Sequence, residues 1–376
     1  MIHKLTIIII KNITNYINLK KKESLLIVRL DDIGDYLLFR NFFEILKKDN
    51  DYGRYNFTLC GNKNYKNIVE NYDHNYFNNY IWVDKFKYIH SKIYRLYLKF
   101  RICFIRYDIL IHPTYSRTIL SEDLIQYFNA EIKIGSKSDI TNISKDKLEL
   151  YDKMYTRLIN TTANPIFEFY RNREFIEKLL GYNILLKKPV IDCSKEKINY
   201  LQIFHHNYVV IFPGASISTR RYEPDKFKVI MAYLLLNYNY DLAISGSKSD
   251  KKISDSLTDN NNNHRVHDLT GQSLIDLVHL IKDSELLITN DTVALHIGAI
   301  FNKKTICISN GTMYGRFLPY PKEITDNVFP VYPDIVDSVN IQDIQKLLIY
   351  GSTLDINEIN PNKIISVIQK ILNNNN

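Results

Sequence analysis

Apolar residues along this chain fall into two alternating patterns, short continuous runs and longer stretches spaced by three and four. Leu25-Leu26-Ile27-Val28 is a continuous run of the kind carried by a strand buried on both faces of a sheet. The polar turn Asp31-Asp32-Ile33-Gly34 follows, and from Asp35 the apolar positions Leu38, Phe42, Ile45 and Leu46 lie at i, i+4, i+7 and i+8, one face of a helix. Strand, turn and helix in this order predict the first unit of a Rossmann-type half. The stretch from 60 to 190 is rich in Tyr, Asn and Lys and shows little period, apart from a predicted strand over Tyr107 to Ile111 leading into His112-Pro113-Thr114.

Regularity returns after Lys187-Lys188-Pro189, where the composition shifts as at a linker. Tyr208 to Phe212 reads as a strand, Pro213-Gly214-Ala215-Ser216 as a loop, and Pro224 as a first helical residue, where its missing N–H costs nothing. Phe227, Ile230, Met231, Leu234 and Leu235 then mark a helix face. Further strands are predicted at Leu242 to Ser245, Leu286 to Thr289 and Thr305 to Ser309, with a short helix near Asp250 to Leu257 and an Asn-rich loop from Asp259 to Asn263. Ser273 and Asp276 stand at capping-box spacing before Leu274, Leu277, Val278 and Ile281. A helix runs from Asn290-Asp291-Thr292 to about Phe301, and the last helix follows Asn360-Pro361 ahead of a polar tail, Asn373 to Asn376. Strands alternating with helices predict a parallel sheet with right-handed crossovers. The expected organisation is a leader at 1–23, a Rossmann-like domain at 24–188 and a second at 189–376.

Composition narrows the classes of partner. At 376 residues with 45% hydrophobic and 24% charged positions, the chain is long enough for two packed domains and is not of disordered composition. Its longest apolar runs fall far short of the roughly 18 residues of a spanning helix, and no cleaved signal is expected, so the cytoplasm is the expected compartment. Cys60, Cys103, Cys193 and Cys307 are far apart and show no zinc-ligand spacing. A net charge of +8 favours anionic partners without choosing among them. The 28 tyrosines and the abundant Lys, Asn and Ile are a uniform bias and carry no chemistry by themselves.

Ligands of parallel α/β sheets bind outside the carboxyl ends of the strands, where helix N-termini offer free N–H groups and partial positive charge. Four turns qualify: Asp31 to Asp35, Pro213 to Arg221, Gly246 to Asp250, and Asn290 to His296. Arg220-Arg221 with the Thr292 and Val293 amides would suit a pyrophosphate, and plain N-capping by Asn290, Asp291 and Thr292 is the competing reading. Asp35 is a candidate base, or a first-turn aspartate stabilising its own helix. His296 either faces a ligand or sits in the core. His205-His206 and His264 with His267 lack companions for a metal, and Asp49-Asn50-Asp51 spells D-x-D only in a polar turn. There is no P-loop, G-x-G-x-x-G after the first strand, G-x-S-x-G elbow or nucleic-acid module.

Taken together, the four turns resemble one family, the bacterial heptosyltransferase-like glycosyltransferases of family 9. Leu26 to Asp35 resembles its first strand and I-G-D turn. Val210 to Ser216 followed by Arg220-Arg221-Tyr222-Glu223-Pro224-Asp225-Lys226-Phe227 resembles its H-P-G-A-S and K-R-W-P-x-E-x-F signature. Asp268-Leu269-Thr270-Gly271 with Ser273-Leu274 is similar to its D-L-x-G-x-[ST]-L, and Asn290-Asp291-Thr292 with His296 and Ala299 to its N-D-T-G-x-x-H-x-A-A. Departures are Arg220 for Lys, Tyr222 for Trp, Val293 for Gly, Phe212 for His, and Asn310-Gly311-Thr312 for G-P-T.

The resemblance implies a GT-B fold, two Rossmann-like domains with parallel sheets facing across a cleft. It also implies inverting, metal-independent transfer of a sugar from a nucleotide donor, typically ADP-heptose, to a lipopolysaccharide or related glycan acceptor. Asp35 falls on the catalytic base. Arg220 and Ser216 fall on donor-phosphate contacts, Thr292 and Val293 on the pyrophosphate turn, Asp291 on a sugar contact and Asp250 on the ribose. Leu269 lies near the base of the nucleotide, and His296 completes the donor motif. No cofactor or metal is implied, and the expected partners are a nucleotide sugar and a glycan or glycolipid acceptor. Peripheral contact with the inner membrane face is expected as well, and nucleic acid is not. A catalytically inactive relative, binding glycan or nucleotide as an assembly partner, is the alternative.

Overall fold

The computed structural model describes residues 23–163, 165–194, 203–258, 263–340, 343–344, 348 and 352–373. Expectations for the leader up to residue 22, for 259–262 of the Asn-rich loop and for 374–376 of the tail lie outside these residues. The chain divides into two compact units, Met1–Asn164 with Phe169–Leu186, and Pro165–Glu168 with Lys187–Asn376.

The first unit holds β1 (Ser24–Arg29), β2 (Asn56–Asn62), β3 (Asn79–Val83), β4 (Arg106–His112), β5 (Asn129–Ser136) and β6 (Arg157–Ile159), in spatial order β3-β2-β1-β4-β5-β6. The second holds β7 (Tyr208–Phe212), β8 (Asp241–Ile244), β9 (Val266–Asp268), β10 (Leu286–Asn290), β11 (Lys304–Ile308) and β12 (Val328–Val331), in order β12-β11-β10-β7-β8-β9. All of these pairings are parallel. Counted within its own unit, each sheet has the doubly wound order whose direction reverses between its first and fourth strands. Those reversals, β1 beside β4 and β7 beside β10, are where this topology opens a crevice for ligands.

The continuous apolar runs become central strands for a physical reason: β1, β7 and β10 are buried along their whole length, so both faces must be apolar. The helix predicted from Asp35 is two, α1 (Ile33–Phe39) and α2 (Asn41–Lys48), parted at Arg40. Arg40 keeps helical angles but is buried, with its guanidinium 2.7 Å from Asp73. Two more helices follow β3, α3 (Lys85–His90) and α4 (Lys92–Cys103).

In the second unit α5 (Pro224–Asn237) starts at the expected proline. The capping box of α6 (Leu274–Asp283) forms both bonds, Ser273 Oγ accepting from the Asp276 N–H at 3.1 Å and the Asp276 carboxylate from the Ser273 N–H at 3.0 Å. Next come α7 (Val293–Ile300) and α8 (Pro361–Asn373). Ile230 and Leu234 of α5 and Ile364 and Ile368 of α8 pack on Val209, Ile211 and Ile288 to form the core that fixes the carboxyl edge of this sheet. Each such side chain contributes roughly 1.5–3 kcal/mol of burial, largely offset by chain entropy.

Candidate functional site

At the reversal of the second sheet, β7 runs into the Pro213–Arg221 loop and β10 into Asp291. Fully buried Asn290 ties the two together. Its Nδ2 donates to Pro213 O at 2.7 Å and its Oδ1 accepts from the Tyr222 N–H at 3.4 Å. Asn310, just after β11, donates from Nδ2 to Thr219 O at 3.2 Å. Tyr222, standing where the resembled motif has Trp, is buried and donates its O–H to Ile359 O at 2.7 Å. Arg220 therefore sits between two anchored neighbours. Its guanidinium forms no hydrogen bond or ion pair among the described residues, and its Nε is buried without a partner. An unpaired cation on a fixed loop is what an anion needs.

Arg220 acts on its surroundings through its field. Burial pushes the Asp291 carboxyl above the usual carboxylate range, while Arg220 and a hydrogen bond from Ser309 pull it back. Burial pushes the His296 imidazole down to about 4, and Arg220 adds to that shift. The ring is thus neutral at pH 7 and shares a 2.6 Å hydrogen bond with the hydroxyl of Tyr320. The structure places His296 in the core.

Of the three residues read as competing caps, only Thr292 caps α7, its Oγ1 accepting from the Ala294 N–H at 3.3 Å. Asn290 is a cross-link and Asp291 meets Ser309. Val293 is the first residue of α7, and among the described residues the non-glycine positions with positive φ are Glu23 and Asn302, so the backbone at 293 makes no demand for glycine. The N–H groups of this first turn lack partners within the helix.

Asp250 follows β8 and folds back on itself, its Oδ2 accepting from the Ser247 N–H at 2.8 Å and the Ser247 hydroxyl at 2.6 Å. It lies against the β7 loop: a Cβ on Gly214 would come within 2.5 Å of its carboxylate, so any larger residue there would have to displace Asp250. Leu269, after β9, is half-buried and donates its N–H to Ile244 O at 2.8 Å, extending the sheet edge. Ser216 is exposed on the β7 loop. Eight predicted positions thus share the carboxyl edge of one sheet, with Arg220, Asp291 and His296 coupled electrostatically and Leu269 at the far side.

Asp35 belongs to the other unit. It is half-buried in the first turn of α1, and its backbone carbonyl accepts from Arg29 Nη2 at 3.1 Å. Arg29 is fully buried, 2.6 Å from Asp31 and stacked 4.3 Å from the Phe39 ring. Exposed Asp32 pairs with Lys85 at 2.7 Å.

Beside this turn, after β4, is a buried polar group with no signature in the sequence. Arg117 pairs with Asp152 and lies 3.5 Å from Glu122, and Tyr155 bridges Glu122 and His112 at 2.9 Å each. Its members are scattered from 112 to 155, so spacing offered nothing to find them by. Asp49 of the D-x-D triplet closes a turn, its Oδ1 accepting from the Asp51 and Tyr52 N–H groups, while its Oδ2 accepts from the Tyr182 hydroxyl at 2.7 Å. Among the described residues no three His, Cys, Asp or Glu side chains are placed to hold a metal, and the four cysteines are buried thiols.

The sequence model described as glycosyltransferase family 9 (heptosyltransferase) matches residues 127–336, more than half of the chain. Among curated proteins no sequence matches. Of solved structures, the E. coli heptosyltransferase WaaC with ADP-2-deoxy-2-fluoro heptose is similar with a TM-score of 0.66 at 15% identity, covering 93% of this chain and 99% of that one. A family 9 glycosyltransferase from Veillonella parvula has a TM-score of 0.67 at 16% identity, over 94% and 98% of the two chains. The E. coli ADP-heptose lps heptosyltransferase II has 0.63 at 14%, over 94% and 99%. At such identities the likeness establishes architecture, an α/β fold of the GT-B type. With the matched sequence model, it makes this chain a member of glycosyltransferase family 9, the heptosyltransferase family.

Proposed function

We propose that the chain is an inverting, metal-independent glycosyltransferase. In this reading it moves a heptose or related sugar from a nucleotide-sugar donor, ADP-heptose or a close analogue, to a lipopolysaccharide or other surface-glycan acceptor at the inner face of the membrane. The observation that carries the reading is Arg220, a cation held by anchored neighbours at the β7/β10 reversal and unpaired among the described residues.

The acceptor hydroxyl gives its proton to the Asp35 carboxylate as its oxygen bonds to the anomeric carbon. The bond from that carbon to the diphosphate breaks, and the nucleoside diphosphate leaves with the electron pair. Attack opposite the leaving group inverts the centre. The departing charge is met by Arg220 and by the N–H groups at the start of α7, fixed dipoles that need no reorganisation. Asp291 and Asp250 are assigned to the sugar and the ribose, Ser216 and Thr292 to the phosphates, and Leu269 to the nucleobase side. His296, neutral and held by Tyr320, fixes α7 in the core behind the donor turn.

The test is calorimetric titration with ADP and ADP-heptose, followed by transfer assays on wild type and Asp35→Asn. Donor binding with transfer lost in the variant supports the reading. Binding without transfer in wild type would favour the alternative, an inactive relative that holds nucleotide or glycan as an assembly partner. No binding to any nucleotide sugar would sink the proposed transfer and leave only the glycan-binding form of the alternative.

A further inference from the structure

α4 carries two apolar faces. Leu98 and Ile102 point into the first unit, while Ile93, Leu96, Tyr97 and Phe100, at i, i+3, i+4 and i+7, stand 58–82% exposed. On α3, Phe86 and Ile89 are 72% and 57% exposed. Exposed apolar residues scattered singly mean little, but six clustered on two joined helices mark an interaction surface.

The surface is held rigid. Asp84 caps α3 through the Lys87 N–H at 3.0 Å, and Ser91 caps α4 through the Tyr94 N–H at 3.2 Å. Arg95 Nε and Nη2 bond Tyr88 O and Ile89 O at 3.1 Å each, fastening the corner between the helices. Lys85 at its edge pairs with Asp32, in the turn that leads to Asp35.

Charge decides what this surface fits. No Asp or Glu occurs between Asp84 and Asp108, a stretch that contains seven Lys and Arg. Lys85 and Lys99 are paired with Asp32 and Asp123, whereas Lys87, Lys92 and Arg101 are exposed with no ion pair among the described residues. A two-fold contact between copies would set this wholly cationic segment against itself, which is unfavourable. Apolar and aromatic side chains rimmed by cations suit an anionic lipid surface, where the rings enter the headgroup region and the cations meet phosphates.

We infer that the outer face of α3 and α4 docks the protein on an anionic bilayer, with Ile93, Leu96 and Phe100 inserting and Lys87, Lys92 and Arg101 meeting lipid phosphates. The proposed function gives this a purpose, since a lipid-linked acceptor then arrives beside the turn that carries Asp35. The docking itself is measured without donor or acceptor, so failure of either idea leaves the other standing.

The test is co-sedimentation of the full chain with vesicles of phosphatidylglycerol and phosphatidylcholine in equal parts, or of phosphatidylcholine alone. Wild type is expected on the anionic vesicles only. Replacing Lys87, Lys92 and Arg101 together by Gln should weaken binding about a hundredfold at low salt, from about fivefold per cation. Replacing Ile93, Leu96 and Phe100 together by Ser should also release the protein, with melting temperature and ADP titration as fold controls. Leu236→Ser, an 84% exposed residue of the other unit, should change nothing. Absence of wild-type binding, equal binding by the Ser variant, or a vesicle-free dimer abolished by the Ser variant would overturn the proposal, the last by making the face a protein contact.

Discussion

The two sheets share one strand order, yet their reversal points are wired differently. Beside β1 and β4, buried Arg29 meets Asp31 and buried Arg117 meets Asp152 and Glu122, so each cation has its counter-charge. Beside β7 and β10, Arg220 forms no ion pair among the described residues, its acidic neighbour Asp291, which feels its field, is held high by burial, and its histidine neighbour is neutral. Paired charges rigidify a turn and leave little net field. An unpaired charge on an anchored loop projects one. Under the proposed function this difference becomes a division of labour that topology alone does not give: the first unit would offer a carboxylate in a neutralised setting, and the second would receive phosphate.

The largest way to break this comparison is Asp35→Asn, which keeps size but cannot take a proton. If Asp35 is the base, kcat should fall about 10²- to 10⁴-fold with donor affinity within about twofold, read by transfer assay and calorimetry. Arg220→Gln comes next. Removing the cation proposed to meet the leaving group should cost about 10²- to 10³-fold in kcat/KM and should also weaken ADP binding, which Asp35→Asn should not. If the two variants show the same pattern, the division of labour is wrong.

A smaller effect tests the histidine beside Arg220 through pH. His296 has its folded pKa pushed to about 4, below the ordinary 6.5, so the unfolded chain takes up this proton first on acidification. Its contribution is therefore complete above pH 6.5, is lost progressively as pH falls to about 4, and changes no further below that. The full span is about 3 kcal/mol. Urea unfolding at pH 7 and pH 5 should show a steeper loss for wild type than for His296→Gln. Equal slopes would mean that the ring is not buried neutral.

What the sequence made legible follows the same division. In the second unit the strands are continuous apolar runs, because they are buried on both faces, and almost every boundary was readable to within a residue or two. β12, whose Val-Phe-Pro-Val is half-buried at the sheet edge, and β9, which ends at the first residue of the Asp268-Leu269-Thr270-Gly271 motif, carry no strand pattern. In the first unit β2, β3, β5 and β6 were unread. β2 carries Asn, Thr, Gly and a second Asn within seven residues although most of it is buried, and β6 is a three-residue edge strand. Such strands exist because neighbours complete them, and local composition is silent about neighbours.

The same limit applied at the site. Asn290 looked like a cap because Asn often is one, whereas its bonds reach Pro213 and Tyr222 across the reversal. Asn290→Ala should leave those buried groups unsatisfied and cost about 1–3 kcal/mol in unfolding free energy, more than the roughly 1 kcal/mol expected from loss of a cap alone. The variant should also weaken ADP binding by freeing the loop that holds Arg220. A loss of stability with ADP affinity unchanged would show that Arg220 does not depend on this anchor.

The smallest effect concerns Val293, where the resembled motif has glycine. A glycine can be required by backbone shape or by clearance for a ligand, and Val293 already adopts the helical conformation without positive φ, so shape is not the reason. Val293→Gly should then lower stability by no more than about 1 kcal/mol, from the greater freedom of glycine in the unfolded chain. If the diphosphate is gripped mainly by Arg220 and approaches α7 along its axis, ADP affinity should stay within about twofold, because a side chain at the first helical position, although tilted toward the N-terminus, projects outward from the axis along which the N–H groups point. A gain of tenfold or more would place the valine methyls in the path of the phosphate. It would shift the basis of anion binding from the side chain of Arg220 to the backbone of α7.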